Sequence, residues 1–273
     1  MSLNNIITKP LLATAALTVL LFSSCNEMDK EDRLEYVKPA QVSRAVLIED
    51  FTGQKCINCP LATDEIHALQ EQYGDSAVIA VGIHSGPLGF KGTSRLVGLS
   101  TDLGDTYYNY WGADHQPVGL VNRASGLQDY PAWAGLVRQA LSETAPLELD
   151  LQCHYDSLSA TVGISVDAFG TNGQTTGKLQ VWVVEDGITA LQMMPDGSSD
   201  REYVHNHVLR ASVNGDWGDD ITVGEGLTVS KTYSLTLDSQ WQPEQVSIIA
   251  FVYNSNGVQQ VVKQPIVKTE TEE

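Results

Sequence analysis

The sequence predicts an α/β domain followed by an all-β sandwich domain, behind an exported leader. Three observations carry this. An apolar run near the N-terminus stops at a cysteine. Up to about residue 144, apolar strand-like runs alternate with segments of helical period. From residue 145 onward nearly every segment alternates apolar and polar side chains, as half-buried strands do.

The leader is residues 1–24. MSLNNIITKP carries one cation, Lys9, and is followed by the 12-residue apolar run LLATAALTVLLF and by small residues ending in Cys25. A charged start, a short apolar stretch and small residues describe a secretory signal. The run is too short to span a bilayer, which takes about 20 residues. Leu21-Phe22-Ser23-Ser24-Cys25 resembles a bacterial lipobox, although Phe22 stands where a smaller aliphatic residue is usual. The resemblance implies lipid attachment at Cys25. Residues 25–41 then form a tether. Its NEMDKED stretch is polar and mostly acidic, and such a segment cannot bury itself. It resembles the acidic stretch that directs some Gram-negative lipoproteins to the outer face. An exported lipoprotein of the bacterial cell envelope, at the outer membrane, is therefore expected.

The formal net charge of −18 excludes nucleic acid as a partner and an electrostatic grip on anionic lipid. Attachment to the membrane through acyl chains needs no basic residues. Three cysteines remain beyond Cys25, namely Cys56, Cys59 and Cys153. An odd number in an exported chain fits one functional pair and a buried single, not a disulfide framework.

Residues 42–144 are assigned to the first domain. AVLIEDF (45–51) is a buried strand. CPLATDEIHALQEQYG sets Leu61, Ile66, Leu69 and Tyr73 near one helical face, with Gly74 as the stop. AVIAVGIH (77–84) is a second strand. Residues 85–115 form an insertion, glycine-rich at first, within which Ser100 is placed to cap a short helix. In TYYNYW (106–111), Tyr107, Tyr110 and Trp111 are expected to pack and Tyr108 to face outward. QPVGLVNR (116–123) is a third strand. YPAWAGLVRQALSE is a last helix with Pro131 in its opening turn.

Residues 145–273 are assigned to the second domain. Leu147, Leu149, Leu151, Cys153 and Tyr155 share one strand face, as do Val162, Ile164, Val166 and Ala168. Leu179, Val181 and Val183 mark a third strand, residues 227–237 a further strand region, and 246–267 a hairpin turning at Asn254–Gly257. About seven short strands fit an immunoglobulin-like sandwich.

FTGQKCINCP (51–60) carries the chemistry. A C-x-x-C pair is half of a zinc site or a dithiol. Zinc needs two more ligands, and the reserve is His205 and His207, far along the chain. Those two are expected to be hydrogen-bonded at a domain junction instead, and no metal or cofactor is expected. As a dithiol, the pair needs nothing further. With Cys56 opening a helix, the unpaired N–H groups and Lys55 would lower its pKa from about 8.5 toward 7. Cys56 is then the attacking thiol and Cys59 the resolving one. His84, at a strand end, is a weaker candidate for the same neighbourhood.

Here the chain resembles the thioredoxin superfamily, over about residues 42–143. Asp50-Phe51 stands at the spacing of that superfamily's buried Asp-Phe, and the resemblance implies that Asp50 moves the proton of Cys59, with Glu49 as its competitor. It further implies a cis peptide before Pro117, facing the dithiol. The motif departs from the superfamily's in reading KCINCP, without a tryptophan before the first cysteine. AVLIEDFTGQKCINCP, PVGLVNR, YVHNHVLR and IIAFVYN together resemble the outer-membrane-protein-28 family of thioredoxin-like lipoproteins. Two functions follow as expectations. One is a lipid-anchored thiol–disulfide oxidoreductase acting on a protein or peptide disulfide. The other is a binding or structural lipoprotein whose Cys56–Cys59 pair is a static disulfide.

Overall fold

The computed structural model describes residues 38–267. Strand Val46–Thr52 (β1) is buried at every position, as a strand covered on both faces must be. Helix Cys59–Tyr73 (α1) has Pro60 in its first turn, where the missing N–H has no intrahelical partner to lose. It ends at Gly74, whose φ of 92° suits glycine. Strand Val78–His84 (β2) runs parallel to β1. Helix Asp102–Trp111 (α2) is capped by the Thr101 hydroxyl, which accepts from the Gly104 N–H. The expected cap, Ser100, instead accepts from the Phe90 N–H and closes the preceding loop. Strand Val118–Val121 (β3) pairs antiparallel with β1, and helix Trp133–Leu141 (α3) follows. Ile66, Leu69, Trp133 and Val137 fill the core on one face of these strands, and Tyr107 and Tyr108 pack on the other.

The rest of the chain is strands: Leu147–Asp156 (β4), Thr161–Gly170 (β5), Thr175–Glu185 (β6), Val208–Ser212 (β7), Asp219–Val223 (β8), Thr228–Thr236 (β9), Val246–Asn254 (β10) and Gly257–Pro265 (β11). Strands β4, β5 and β9 form a three-stranded antiparallel sheet in the order β9-β5-β4. All the others join β1, β2 and β3 in one eight-stranded sheet ordered β11-β10-β6-β7-β2-β1-β3, with β8 also paired to β6. Strand β10 runs along one edge of β6, and β7 and β8 share the other.

This overturns the expected fold class. The described residues are mostly β, with 43% in strand against 17% in helix. Neither an α/β thioredoxin-like domain nor a separate immunoglobulin-like sandwich stands by itself, because strands of both halves belong to one sheet. The seam is the parallel pairing of Val208 with Gly82, where the Gly82 N–H donates to the His207 carbonyl at 2.8 Å. The physical reason lies in β6 and β10, which are buried on both faces. Leu179, Val181 and Val183 pack toward the three-stranded sheet, while Trp182 and Val184 pack into the core shared with β1 and β2.

A buried ion pair stands in that shared region. Arg123, just after β3, donates from Nε and Nη2 to the two carboxylate oxygens of Glu49 on β1, at 2.5 and 3.0 Å. The side chains are 3% and 1% exposed. The guanidinium lies 4.5 Å from the ring centre of Tyr253, 5.0 Å from Phe251, 5.5 Å from Trp182 and 5.6 Å from Trp111. Removing one partner of such a pair leaves an uncompensated charge in the core. Arg123→Met is therefore expected to cost roughly 3–5 kcal/mol in urea unfolding, and the double variant Glu49→Leu/Arg123→Met to regain most of it. A loss below about 1 kcal/mol for the single variant would be that of a surface pair and would remove the claim.

A shielded disulfide as the candidate functional site

Strand β1 delivers the chain to a tight turn at Gly53. A Cβ there would lie 2.4 Å from the Leu88 carbonyl oxygen, so no larger residue fits. The turn is held by the Cys56 N–H donating to Gly53 and the Lys55 N–H to Leu88, each at 3.0 Å. Cys56, expected from the sequence to open the helix, lies in this turn instead. The helix opens three residues later, at Cys59, with Pro60 setting its first turn. Lys55 reaches over the Phe90 ring, 5.6 Å from its centre.

Cys56 and Cys59 are joined as a disulfide. Both residues are buried, at 1% and 2% exposure, while Ile57 between them is 45% exposed. Against the cysteine turn lies a strap, residues 186–207, between β6 and β7. Two short pairings stiffen it, Ile188–Thr189 with Val204–His205 and Gln192–Met193 with Ser199–Asp200. Two buried glutamines lash it down. Gln192 Nε2 donates to the Cys56 carbonyl at 2.8 Å. Gln54 Nε2 donates to the carbonyls of Leu191 and Val97, Gln54 Oε1 accepts from the Leu99 N–H, and the Gln54 carbonyl accepts from the Met193 N–H. Sequence reading missed both glutamines, since a Gln in a polar stretch carries no sign of burial.

Beside the disulfide is a cavity of about 30 Å³, lined among others by Asp50, Cys59, His84, Tyr203 and His205. The structure thus brings Asp50 and His84 to one cavity with Cys59. Asp50 is 2% exposed, and its Oδ1 has no hydrogen-bond partner among the described residues. Burial pushes its pKa up to about 8. Burial lowers the pKa of His205 to about 4, and burial together with His205 and Arg210 lowers that of His84. The two imidazoles meet edge to face at 5.2 Å. At neutral pH all three groups are uncharged. Glu49, the competitor for the role of Asp50, is engaged by Arg123 instead.

His205 and His207 both border this cavity but have different partners. His205 packs on His84 and Tyr203, whereas the His207 N–H and Nδ1 both meet Asp186 Oδ1, at 2.6 and 2.9 Å. Among the described residues no group of three His, Cys, Asp or Glu is placed to hold a metal. Pro117 is buried and follows a cis peptide, and Gln116 Nε2 ties that segment to the carbonyls of Thr52 and Ser85 at the ends of β1 and β2. Tyr108, expected outside, is 7% exposed and packs edge-on against Phe51, whereas Tyr110 is 65% exposed. Cys153 is half-buried on β4, and burial pushes its thiol up to about 11. Cys25 and the leader lie outside the described residues. Among the described residues no helix is long and apolar enough to cross a membrane.

A family model described as "Outer membrane protein Omp28" matches residues 104–270, well over half of the chain. The chain belongs to the Omp28 family. That membership places it in the bacterial cell envelope, at the outer membrane. Among solved structures, HBP35 of Porphyromonas gingivalis is similar in fold, with a TM-score of 0.66 at 17% identity, over 85% of this Omp28 chain and 79% of that one. That likeness extends through both halves, in keeping with the continuous sheet. A domain of the outer membrane lipoprotein Omp28 from the same organism is 24% identical over 45% of this chain and 88% of that one, with a TM-score of 0.34. No curated protein matches the chain in sequence.

The buried titrating groups give this Omp28 protein a defined pH profile. Asp50 keeps its proton in the fold up to about pH 8 but loses it near 3.8 when unfolded, so its contribution falls as pH rises between those values. His205 loses its proton near 4 in the fold and near 6.5 when unfolded, so its contribution rises with pH across that window, and His84 acts in the same direction. Below pH 6.5 two histidines oppose one carboxyl, and above it Asp50 alone remains. Thermal unfolding is expected to show greatest stability near pH 6.5 and a decline toward pH 8, and Asp50→Asn to abolish that decline. The same decline in the variant would exclude Asp50 as its source.

Proposed function

We propose that this is a non-enzymatic lipoprotein of the outer membrane, held by lipid on Cys25, in which Cys56–Cys59 is a static staple. The burial of both cysteines beneath the Gln192 strap carries this reading. Thiol–disulfide exchange needs a thiolate to reach one sulfur of the bond. Here both cysteines are buried and offer almost no surface to such an attack. The family match supports the outer-membrane part of this reading.

One observation favours a second reading, a thiol–disulfide oxidoreductase acting on a protein or peptide disulfide. Asp50, protonated at neutral pH, shares a cavity with Cys59 and is placed to exchange a proton with that sulfur once the bond is open. In this reading Cys56 attacks and Cys59 resolves, beside the Pro117 segment.

Native thiol counting separates the two. The folded protein incubated with dithiothreitol is expected to show only the Cys153 thiol, and all three thiols only after denaturation. Rapid release of the Cys56 and Cys59 thiols from the native state, with insulin reduction that Cys56→Ser abolishes, would overturn the static reading. Replacing both cysteines by serine is expected to lower stability by about 2 kcal/mol, the loop-closure term for so short a ring. Cys25→Ala is expected to release the protein from membranes, and retention there would exclude lipid on Cys25 as the anchor.

A further inference from the structure

A cleft of about 810 Å³ opens between the loop 91–98 and the end of β6, with Arg210 of β7 and Gln240 and Gln242 completing its wall. That volume suits a small ligand or a peptide end. The loop is tightly built. The Thr93 N–H donates to Leu96, the Thr93 hydroxyl accepts from the N–H groups of Arg95 and Leu96, and a Cβ on Gly98 would fall 1.9 Å from the Gly92 nitrogen. Gln54 ties the loop's far end to the strap through the Val97 carbonyl. Ile188 of the cleft wall packs against the buried cluster of Leu99, Ala190 and Val208.

Two guanidiniums at this cleft keep hydrogen-bond donors to spare. Arg210 is only 15% exposed at its side chain, stands over the Trp241 ring at 5.6 Å and has its Nε 3.3 Å from Glu185 Oε2. Its guanidinium makes no hydrogen bond among the described residues, and its Nε is buried without one. The other Glu185 oxygen is taken by the Gln242 N–H. Arg95 is exposed and makes no ion pair among the described residues. Lys91, by contrast, is held by Asp102 and Asp105. Glu185 and, farther off, Asp238 face Arg210, so two guanidiniums stand against two carboxylates here, in a chain whose net charge is −18. A planar guanidinium braced on an aromatic ring is suited to a carboxylate, which it can hold through two parallel hydrogen bonds. Leu96 and Val97 add apolar surface on the cleft wall, 37% and 53% exposed.

We propose that this cleft binds the C-terminal end of a peptide whose last residue is apolar. The terminal carboxylate sits on Arg210 and Arg95, the peptide groups meet the Gln240 and Gln242 amides, and the last side chain rests on Leu96 and Val97. An acidic sugar shares the carboxylate but leaves that apolar pair uncovered. The proposal does not depend on whether the disulfide is static, since neither cysteine lines the cleft.

The test is calorimetric titration of the soluble mature protein with acetyl-Gly-Gly-Leu as its free acid and as its amide. The free acid is expected to bind with a dissociation constant below about 1 mM, and the amide at least roughly tenfold more weakly, having lost its charge-assisted bonds. Arg95→Gln, at an exposed position that leaves the fold intact, and Arg210→Lys, which keeps the charge but not the fork, are each expected to weaken the free acid at least threefold or so. Equal binding of acid and amide, no measurable binding of the acid, or wild-type affinity in both variants would overturn the proposal. Galacturonate binding as tightly as the tripeptide would overturn the assignment to a peptide.

Discussion

The pair Glu49–Arg123 is the constraint around which the halves of this chain meet. A carboxylate and a guanidinium taken out of water lose several kcal/mol of hydration each, and only close, well-aligned partners restore it. Here the partners come from β1 and from the second residue after β3, while the rings around the guanidinium come from α2, β6 and β10. Guanidinium is weakly hydrated and stacks on aromatic faces, so it is the cation that such a place tolerates. An apolar contact can slide with small loss. This one cannot, because any shift of β6 and β10 against β1 disturbs the packing around a buried charge. One continuous sheet is the arrangement that satisfies it.

The shielding of the disulfide follows from that sheet. With β7 fixed beside β2 at Val208 and Gly82, the chain leaving β6 at Glu185 must re-enter where β1 and β2 end. Those are the ends that carry Thr52 and His84, and the cysteine turn starts directly after Thr52. The excursion 186–207 therefore crosses the cysteines because of where its two ends are pinned. Gln54 and Gln192 convert that crossing into a fixed cover, since each is buried and each spends its amide on backbone of the other segment.

Much of this was legible in the letters, and the losses have physical causes. The helix over 59–73, its stop at Gly74, the strands over 46–52 and 78–84 and the closing hairpin follow from periodicity and turn residues. The change of texture near residue 145 was read as a boundary between folds, yet strands on both sides of it share one sheet. LQVWVVE held the warning, because seven residues without an exposed face describe a strand covered twice, and only its odd positions were weighed. VLIEDFT held another. Two acids in a fully buried strand must each be paired or neutral. Glu49 is the paired one and Asp50 the neutral one. The strap gave no sign, since strands of two residues have no period.

Burial and neutrality act together at the cysteines. A thiolate is favoured by nearby positive charge and opposed by an apolar setting. The cavity beside Cys59 holds Asp50 with its proton and His84 and His205 without theirs, so none of these three offers a cation to a departing sulfur at neutral pH. The bond is both hard to reach and poorly supported once broken. The strap belongs to the segment matched by the family model, residues 104–270. The same segment supplies Arg123, most of its aromatic surround and the Arg210 wall of the open cleft.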